Sequence, residues 1–452
     1  MGFETEMCYN RCTMGRLLKI LRSQQFTRFA VTLAILMLTG CTAATPTPTP
    51  APATATPNEP TPPATLTPTP EPTPIVTVLE LWLPEELDPY GEQNGSQVLR
   101  SQLAEFSDAY PSLQVDVVVK KAQGRGGLVD FMRTARDAAP AVLPDLVALD
   151  ASDLGTVAGS DLVQPLDGFL ASSAADDRFS IASAMGNVDG QTAGAALGVD
   201  LQHLAYRPAL FDSPPVTWTE VISAPASFLF PAGGFDGHVN DATLIQYLGA
   251  GGRLTDAEGN PSLDEDTMID VLDFYSRCIT STVIAPTQVL TATHVDQVWE
   301  QFKGGEGGMT TVRASRYWVE ADDTMAPAPI PTRDGQTISI GRGWVLAMVT
   351  DVPVRQESAM LLIDWLTAPE NSALWTQATG YLPPTRSALR RWDVSDEERT
   401  VLLGLLEAAV PPPRPLVMEG VGAPMQQALE AVLSGRSTPE EAATSALERL
   451  QR

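Results

Sequence analysis

Apolar positions fall into three regimes along the chain. A basic stretch carrying Arg16, Lys19, Arg22 and Arg28 leads into the unbroken apolar run "FAVTLAILMLTG". Residues 42–74 then hold twelve Pro and eleven Thr among thirty-three, with no aromatic residue. From Ile75 the apolar positions become periodic. "IVTVLELWLP" reads as a buried β-strand, and Leu99, Leu103, Phe106 and Tyr110 recur at helical spacing until Pro111 stops them. Leu113, Val115, Val117 and Val119 alternate as a second strand. A helix through Leu128, Phe131, Met132 and Ala135 and the strand "PDLVALD" complete a third unit. Strand and helix alternate, which predicts an α/β half with a mainly parallel sheet. Ligands of such sheets meet the loops at the carboxyl ends of strands, so the turns after Trp82 and after Asp150 are expected to face a cleft.

The first two regimes read as a leader and a spacer. An apolar run of a dozen residues behind a basic stretch is too short to span a bilayer and fits a signal peptide. Leu38-Thr39-Gly40-Cys41 resembles the bacterial lipobox, whose cysteine is diacylated and becomes the new N-terminus. That resemblance implies a lipid anchor on Cys41. Met14 is an alternative start, because the residues after it form a more typical basic region. The Thr/Pro strip cannot bury enough area to fold and favours extended polyproline II, reaching about 100 Å at about 3.1 Å per residue.

Charge narrows the partners. The chain of 452 residues carries a formal net charge of −26. Residues 1–41 hold five basic and two acidic groups, so the rest carries 24 basic and 53 acidic ones, a net of −29. Such a surface repels phosphate backbones, so nucleic acid is not expected as a partner. Cys8 and Cys12 lack a second ligand pair, and Cys278 is left as a buried thiol in "VLDFYSRCI", so neither a metal site nor a disulfide framework is expected. "GGEGG" lacks the Lys-Ser/Thr of a phosphate loop, and "DAEGNPSLDED" lacks the ordered ligands of a calcium loop. His203, His238 and His294 show no ligand spacing, and no GxSxG occurs. No cofactor and no catalytic residue is expected.

Motifs in order along residues 75–452 resemble the bacterial extracellular solute-binding proteins of ABC importers, the maltose-binding-like family. The resemblance runs through "FSDAYPSLQVDVVV", "LPDLVALDASDLGTVAGSDLVQPLDGFL", "GQTAGAALGVDLQHLAYRPALF" with "PPVTWTEVI", "QFKGGEGGMTTVRASRYW", "IGRGWVLAMVTDVPVRQESAMLLIDWLTAPENSALWTQATGYLPPTRSAL" and "ALEAVLSGRSTPEEAATSALERL". It implies a type II periplasmic-binding-protein fold, two α/β lobes joined by hinge strands that close on a ligand. Lobe one would hold about 75–197 and 345–388, lobe two about 205–341 and 390–452. The capping-box spacing Ser437-x-x-Glu440 marks a helix start in the last segment.

A sugar offers apolar ring faces and a rim of hydroxyls, so a sugar site needs aromatic platforms and a few polar groups. Trp82, Asp150 and Ser152 lie at carboxyl ends of strands. Asp200 stands on the crossing segment where relatives carry an acidic residue, and Phe235 stands in the loop "PAGGFDGH". Trp318, Trp344 and Tyr381 complete the candidate contacts, each weighed against packing in the core; Arg342, which could pair with an anionic ligand or with the acidic surface, is left out of the set. Arg207 and Leu149 depart from the family pattern, which leaves the ligand open. The resemblance implies a monomeric, lipid-anchored capture protein on the extracytoplasmic face of the cell membrane. It would bind a small solute, a mono- or oligosaccharide first, and deliver it to ABC permease subunits. A surface-tethered glycan-acting enzyme and a sensory or structural lipoprotein reusing the fold stand as alternatives.

Overall fold

The computed structural model describes residues 76–169 and 176–451, all within the second of the two units into which the chain divides, Pro72–Arg452. The leader, the lipobox with Cys41 and the Thr/Pro strip lie outside the described residues. Among those described, no helix is long and apolar enough to cross a membrane.

Among the described residues there are eleven strands: β1 Thr77–Pro84, β2 Leu113–Lys120, β3 Leu146–Asp150, β4 Asn187–Val188, β5 Gln191–Thr192, β6 Ala195–Tyr206, β7 Phe228–Leu229, β8 Met309–Arg313, β9 Ala326–Ala328, β10 Ser339–Met348 and β11 Ala409–Val410. The main sheet runs β2-β1-β3-β10-β6-β8-β7, with β11 added to β10 and β9 to β6. β1 pairs in parallel with β2 and β3, as the alternation of strand and helix predicts. The centre differs. β10 lies antiparallel to both β3 and β6, and β6 antiparallel to β8. Local periodicity carries no strand direction, and here the chain passes out along β6 and returns along β10.

Those two long strands feed several cores. Leu197 of β6 packs with Leu79, Leu81 and Leu83 on one face of the first half, while Val199 and Leu201 pack with Trp82, Val147 and Leu149 on the other. Three residues beyond Leu201, Leu204 joins the core of the second half with Phe228, Met309 and Phe274. Ile340 and Val345 divide β10 in the same way. The stretch after 390, expected wholly in the second lobe, splits. Trp392, Leu402, Leu405 and Leu406 bury their side chains in the first half, and the Pro415–Leu433 and Pro439–Leu450 helices bury theirs in the second. The crossing therefore falls at the proline-rich strap 411–415 rather than near 390. The last helix is capped by Thr438 with Glu441, one residue later than the Ser437/Glu440 spacing suggests. Cys278 is fully buried beside the second half's aromatic cluster, and burial pushes its thiol up to about 12.

Candidate functional site

Alternation along three neighbouring strands builds the site. Arg342 of β10 stands opposite Asp200 of β6, and Trp344, two residues on, stands opposite Asp150 at the end of β3. Residues two apart and directly paired residues share a face, so these four side chains form one row across the sheet. The same face carries the first half's core of Leu146, Ala148, Leu197 and Leu346; the row begins where that core ends. Gln202 and Arg313, paired across β6 and β8, extend it into the second half. Over this row lies a cavity of about 420 Å³, closed from the second half by Phe235, Asn240, Asp241 and His294.

Five sequence-expected residues meet there: Asp150, Asp200, Phe235, Trp344 and Tyr381. Asp200 is only 8% exposed and accepts hydrogen bonds from the backbone N–H (3.1 Å) and Oγ–H (2.7 Å) of Ser315. Burial raises its carboxyl above the usual aspartate value, and the two Ser315 bonds oppose that rise. Asp150 caps the Ala151–Ala158 helix, with one oxygen accepting from the N–H and Oγ–H of Ser152. Tyr381 stacks on buried Trp375 at 5.8 Å and 8°. Gly198 makes this approach possible, because a Cβ there would stand 2.9 Å from the Tyr381 Cβ. Burial chiefly, then the nearby Asp200 charge, pushes the Tyr381 hydroxyl up to about 12, so it stays a hydrogen-bonding phenol. Phe235 is 53% exposed and leans on His294 with ring centroids 4.7 Å apart.

Three expected residues lie outside this cavity. Trp82 is 2% exposed and faces away from the cavity, since it alternates with Leu81 and Leu83; its ring meets Phe131 edge-on at 5.3 Å, and its Nε1–H donates to Glu80. The turn after it does not line the cavity either. Trp318 packs edge-on against Trp392 and Tyr317, outside the cavity. Ser152 lines a second, adjoining cavity of about 690 Å³ rather than the first.

Other lining residues were not among the expected contacts. The Arg342 guanidinium, set aside earlier, pairs with both oxygens of Asp241 at 2.9 and 2.8 Å, and Arg313 pairs in the same way with Asp296. Both cavity arginines are thus already matched by a carboxylate, leaving Asp150 and Asp200 in excess. Gln202 Oε1 and Asn240 Nδ2 are buried without a hydrogen-bond partner among the described residues. Both residues line the cavity, so two amide side chains stand beside it with these atoms buried. No cluster of side chains suited to a metal ion occurs among the described residues.

The family model of the bacterial extracellular solute-binding proteins matches residues 102–399. The chain belongs to that family. Solute-binding proteins of known structure share the fold across nearly their whole length. Maltose-bound MalE3 of T. maritima is 20% identical with a TM-score of 0.60, covering 83% of this chain and 99% of that one. The cyclic alpha-maltosyl-1,6-maltose binding protein of Arthrobacter globiformis is 18% identical with a TM-score of 0.66, covering 83% and 98%. MalE of Xanthomonas citri is 20% identical with a TM-score of 0.64, covering 83% and 96%. In sequence, the sn-glycerol-3-phosphate-binding periplasmic protein UgpB of Escherichia coli is 26% identical over 172 residues, which is 34% of this chain and only 39% of that relative. In this chain the cavity is lined from both halves that β6 and β10 join.

Proposed function

We propose that this protein captures a neutral sugar between its two lobes and hands it to the permease of an ABC importer, while a lipid on Cys41 holds it at the extracytoplasmic membrane face. One observation carries the sugar reading: a cavity that combines three aromatic rings with the Gln202 and Asn240 amides and two carboxylates, Asp150 and Asp200, that make no salt bridge among the described residues. Rings cover the apolar faces of a sugar, and the carboxylates and amides take its hydroxyls. Among the structural relatives are a maltose-bound MalE3, a cyclic alpha-maltosyl-1,6-maltose binding protein and a sugar-binding MalE, which supports the same class. The relative that binds sn-glycerol-3-phosphate points to an anionic ligand instead. Charge speaks against that, since a phosphate would have to draw Arg342 or Arg313 from its carboxylate and sit beside Asp150 and Asp200. Capture needs no bond-making chemistry, and the protein acts as a monomer.

Calorimetric titration of protein lacking residues 1–41 with a panel of neutral sugars and with glycerol 3-phosphate tests the ligand class. Binding of a neutral sugar supports the reading. Binding of the phosphate alone overturns the sugar and keeps the capture role. For the anchor, Cys41→Ser is expected to move the protein from the membrane fraction to the soluble one; retention in the membrane would overturn it.

A further inference from the structure

We infer that the cavity sorts sugars by charge, holding one that bears a protonated amine beside Asp150 more tightly than its neutral parent; this rests on reading the cavity as a sugar site. Four carboxylates line it, Asp150, Asp200, Asp241 and Asp296, against two guanidiniums, Arg313 and Arg342. Arg342 is taken up by Asp241 and Arg313 by Asp296, each through two hydrogen bonds. With its histidines counted as neutral, the lining carries two negative charges without a cation. A neutral hydroxyl can donate to such a carboxylate but leaves its charge uncompensated, whereas an ammonium supplies both the hydrogen bond and the charge.

Asp150 is the better placed of the two for an amine. Its Oδ1 accepts from the N–H and Oγ–H of Ser152, and its Oδ2 accepts no hydrogen bond among the described residues. The N-terminus of the Ala151–Ala158 helix that it caps lends about half a positive charge, so about half of the carboxylate's charge is left to a ligand. Asp200 has both oxygens engaged by Ser315 and retains lone pairs for sugar hydroxyls. The two carboxylates stand on β3 and β6, on either side of β10, and two strand spacings amount to about 10 Å. One ammonium therefore meets one of them, while the rest of the sugar ring reaches towards the other. Trp344, Tyr381 and Phe235 line the same space, and an aromatic face attracts a cation as well as covering an apolar sugar face. At longer range, the chain's net charge of −26 draws cations towards the protein.

Calorimetric titration at about pH 6, where a primary amine is protonated, compares glucose, galactose, mannose and cellobiose with their 2-amino and N-acetyl counterparts. In at least one set the amine is expected to bind at least tenfold more tightly than its parent, and the uncharged N-acetyl form to lose that gain. Raising salt from about 20 to about 500 mM is expected to weaken the amine and leave the parent unchanged. Asp150→Asn keeps a helix cap and removes the charge, so it is expected to bring the ratio of amine to parent below about threefold. Asp200→Asn is expected to lower both affinities and leave the ratio in place. Thermal melts establish that each variant is folded; if Asp150→Asn is not, the salt and N-acetyl comparisons decide. An amine no tighter than its parent in every set, or a ratio that survives folded Asp150→Asn, overturns this inference and leaves the neutral-sugar reading standing. Amines that bind where no neutral parent does uphold the inference and overturn only the neutral ligand. Failure of every sugar and every amine overturns both.

Discussion

Asp200 faces the cavity while its oxygens accept both hydrogen bonds of Ser315, so its protonation should register in stability and in binding together. Burial puts its folded-state pKa above the unfolded one. Its contribution to stability is therefore present below the unfolded value, about 3.9, and is lost as pH rises through the folded one. Asp200→Asn removes a buried charge and keeps an acceptor for Ser315. In thermal melts it is expected to match or exceed the natural protein at pH 7, with the two converging below pH 4. Its sugar affinity is expected to fall at least tenfold, about 1.4 kcal/mol. His203 has the opposite sign. Its ring is fully buried against Tyr317, Nδ1–H donates to the Leu204 carbonyl at 2.9 Å, and burial lowers its pKa from 6.5 to about 4. The folded state thus resists protonation, and about 3 kcal/mol should be lost as pH falls from 6.5 to 4. His203→Gln is expected to flatten that part of the stability profile; an unchanged slope would assign the loss to other groups. Asp200 was legible in the sequence because it stands within a strand pattern and a family motif. Gln202 and Asn240 were not, since an unpaired amide can be recognised only once its surroundings are known.

Elements were more legible than residues wherever one face is buried. The first strand and helix follow directly from Leu79, Leu81 and Leu83 and from Leu99, Leu103 and Phe106, all of which enter one core. The faces themselves were harder: Trp82 and Leu83 are neighbours in sequence, yet alternation sends one to each side of the sheet, and only the sheet's partners decide which side meets the ligand. Helix starts show how one residue of register matters. Ser437 and Thr438 are both plausible caps for the final helix, each with an acid three residues on, but the Thr438 hydroxyl accepts from the Glu441 N–H while the Glu441 carboxylate accepts from the Thr438 N–H. Thr438→Ala is expected to cost about 1 kcal/mol, and Ser437→Ala only a few tenths. Denaturant midpoints of the two variants compare them directly, and equal losses would place the cap elsewhere.

At the scale of the whole molecule, the chain passes between the halves along β6, β10 and the 411–415 strap, and β6 and β10 each place side chains in cores on both sides of the crossing. Neither half can unfold without releasing strands that carry Asp200 and Arg342, so local opening and loss of the ligand should be one event. Cys278 reports it. In protein beginning at residue 42 it is the one thiol, it is fully buried in the second half, and its raised pKa keeps it unreactive while folded. Thiol labelling then proceeds through opening, and where reclosing outpaces labelling the rate follows the open population. A sugar at 100 times its Kd should suppress that population by about 2.7 kcal/mol, so labelling should slow roughly 100-fold. A rate nearly unchanged by saturating ligand would mean that the second half opens with the site intact, against the shared-strand argument. The same comparison in Asp200→Asn, at equal sugar concentration, should show at least tenfold less protection, because the weakened site loses affinity while the shared strands, and the route by which Cys278 becomes exposed, stay the same.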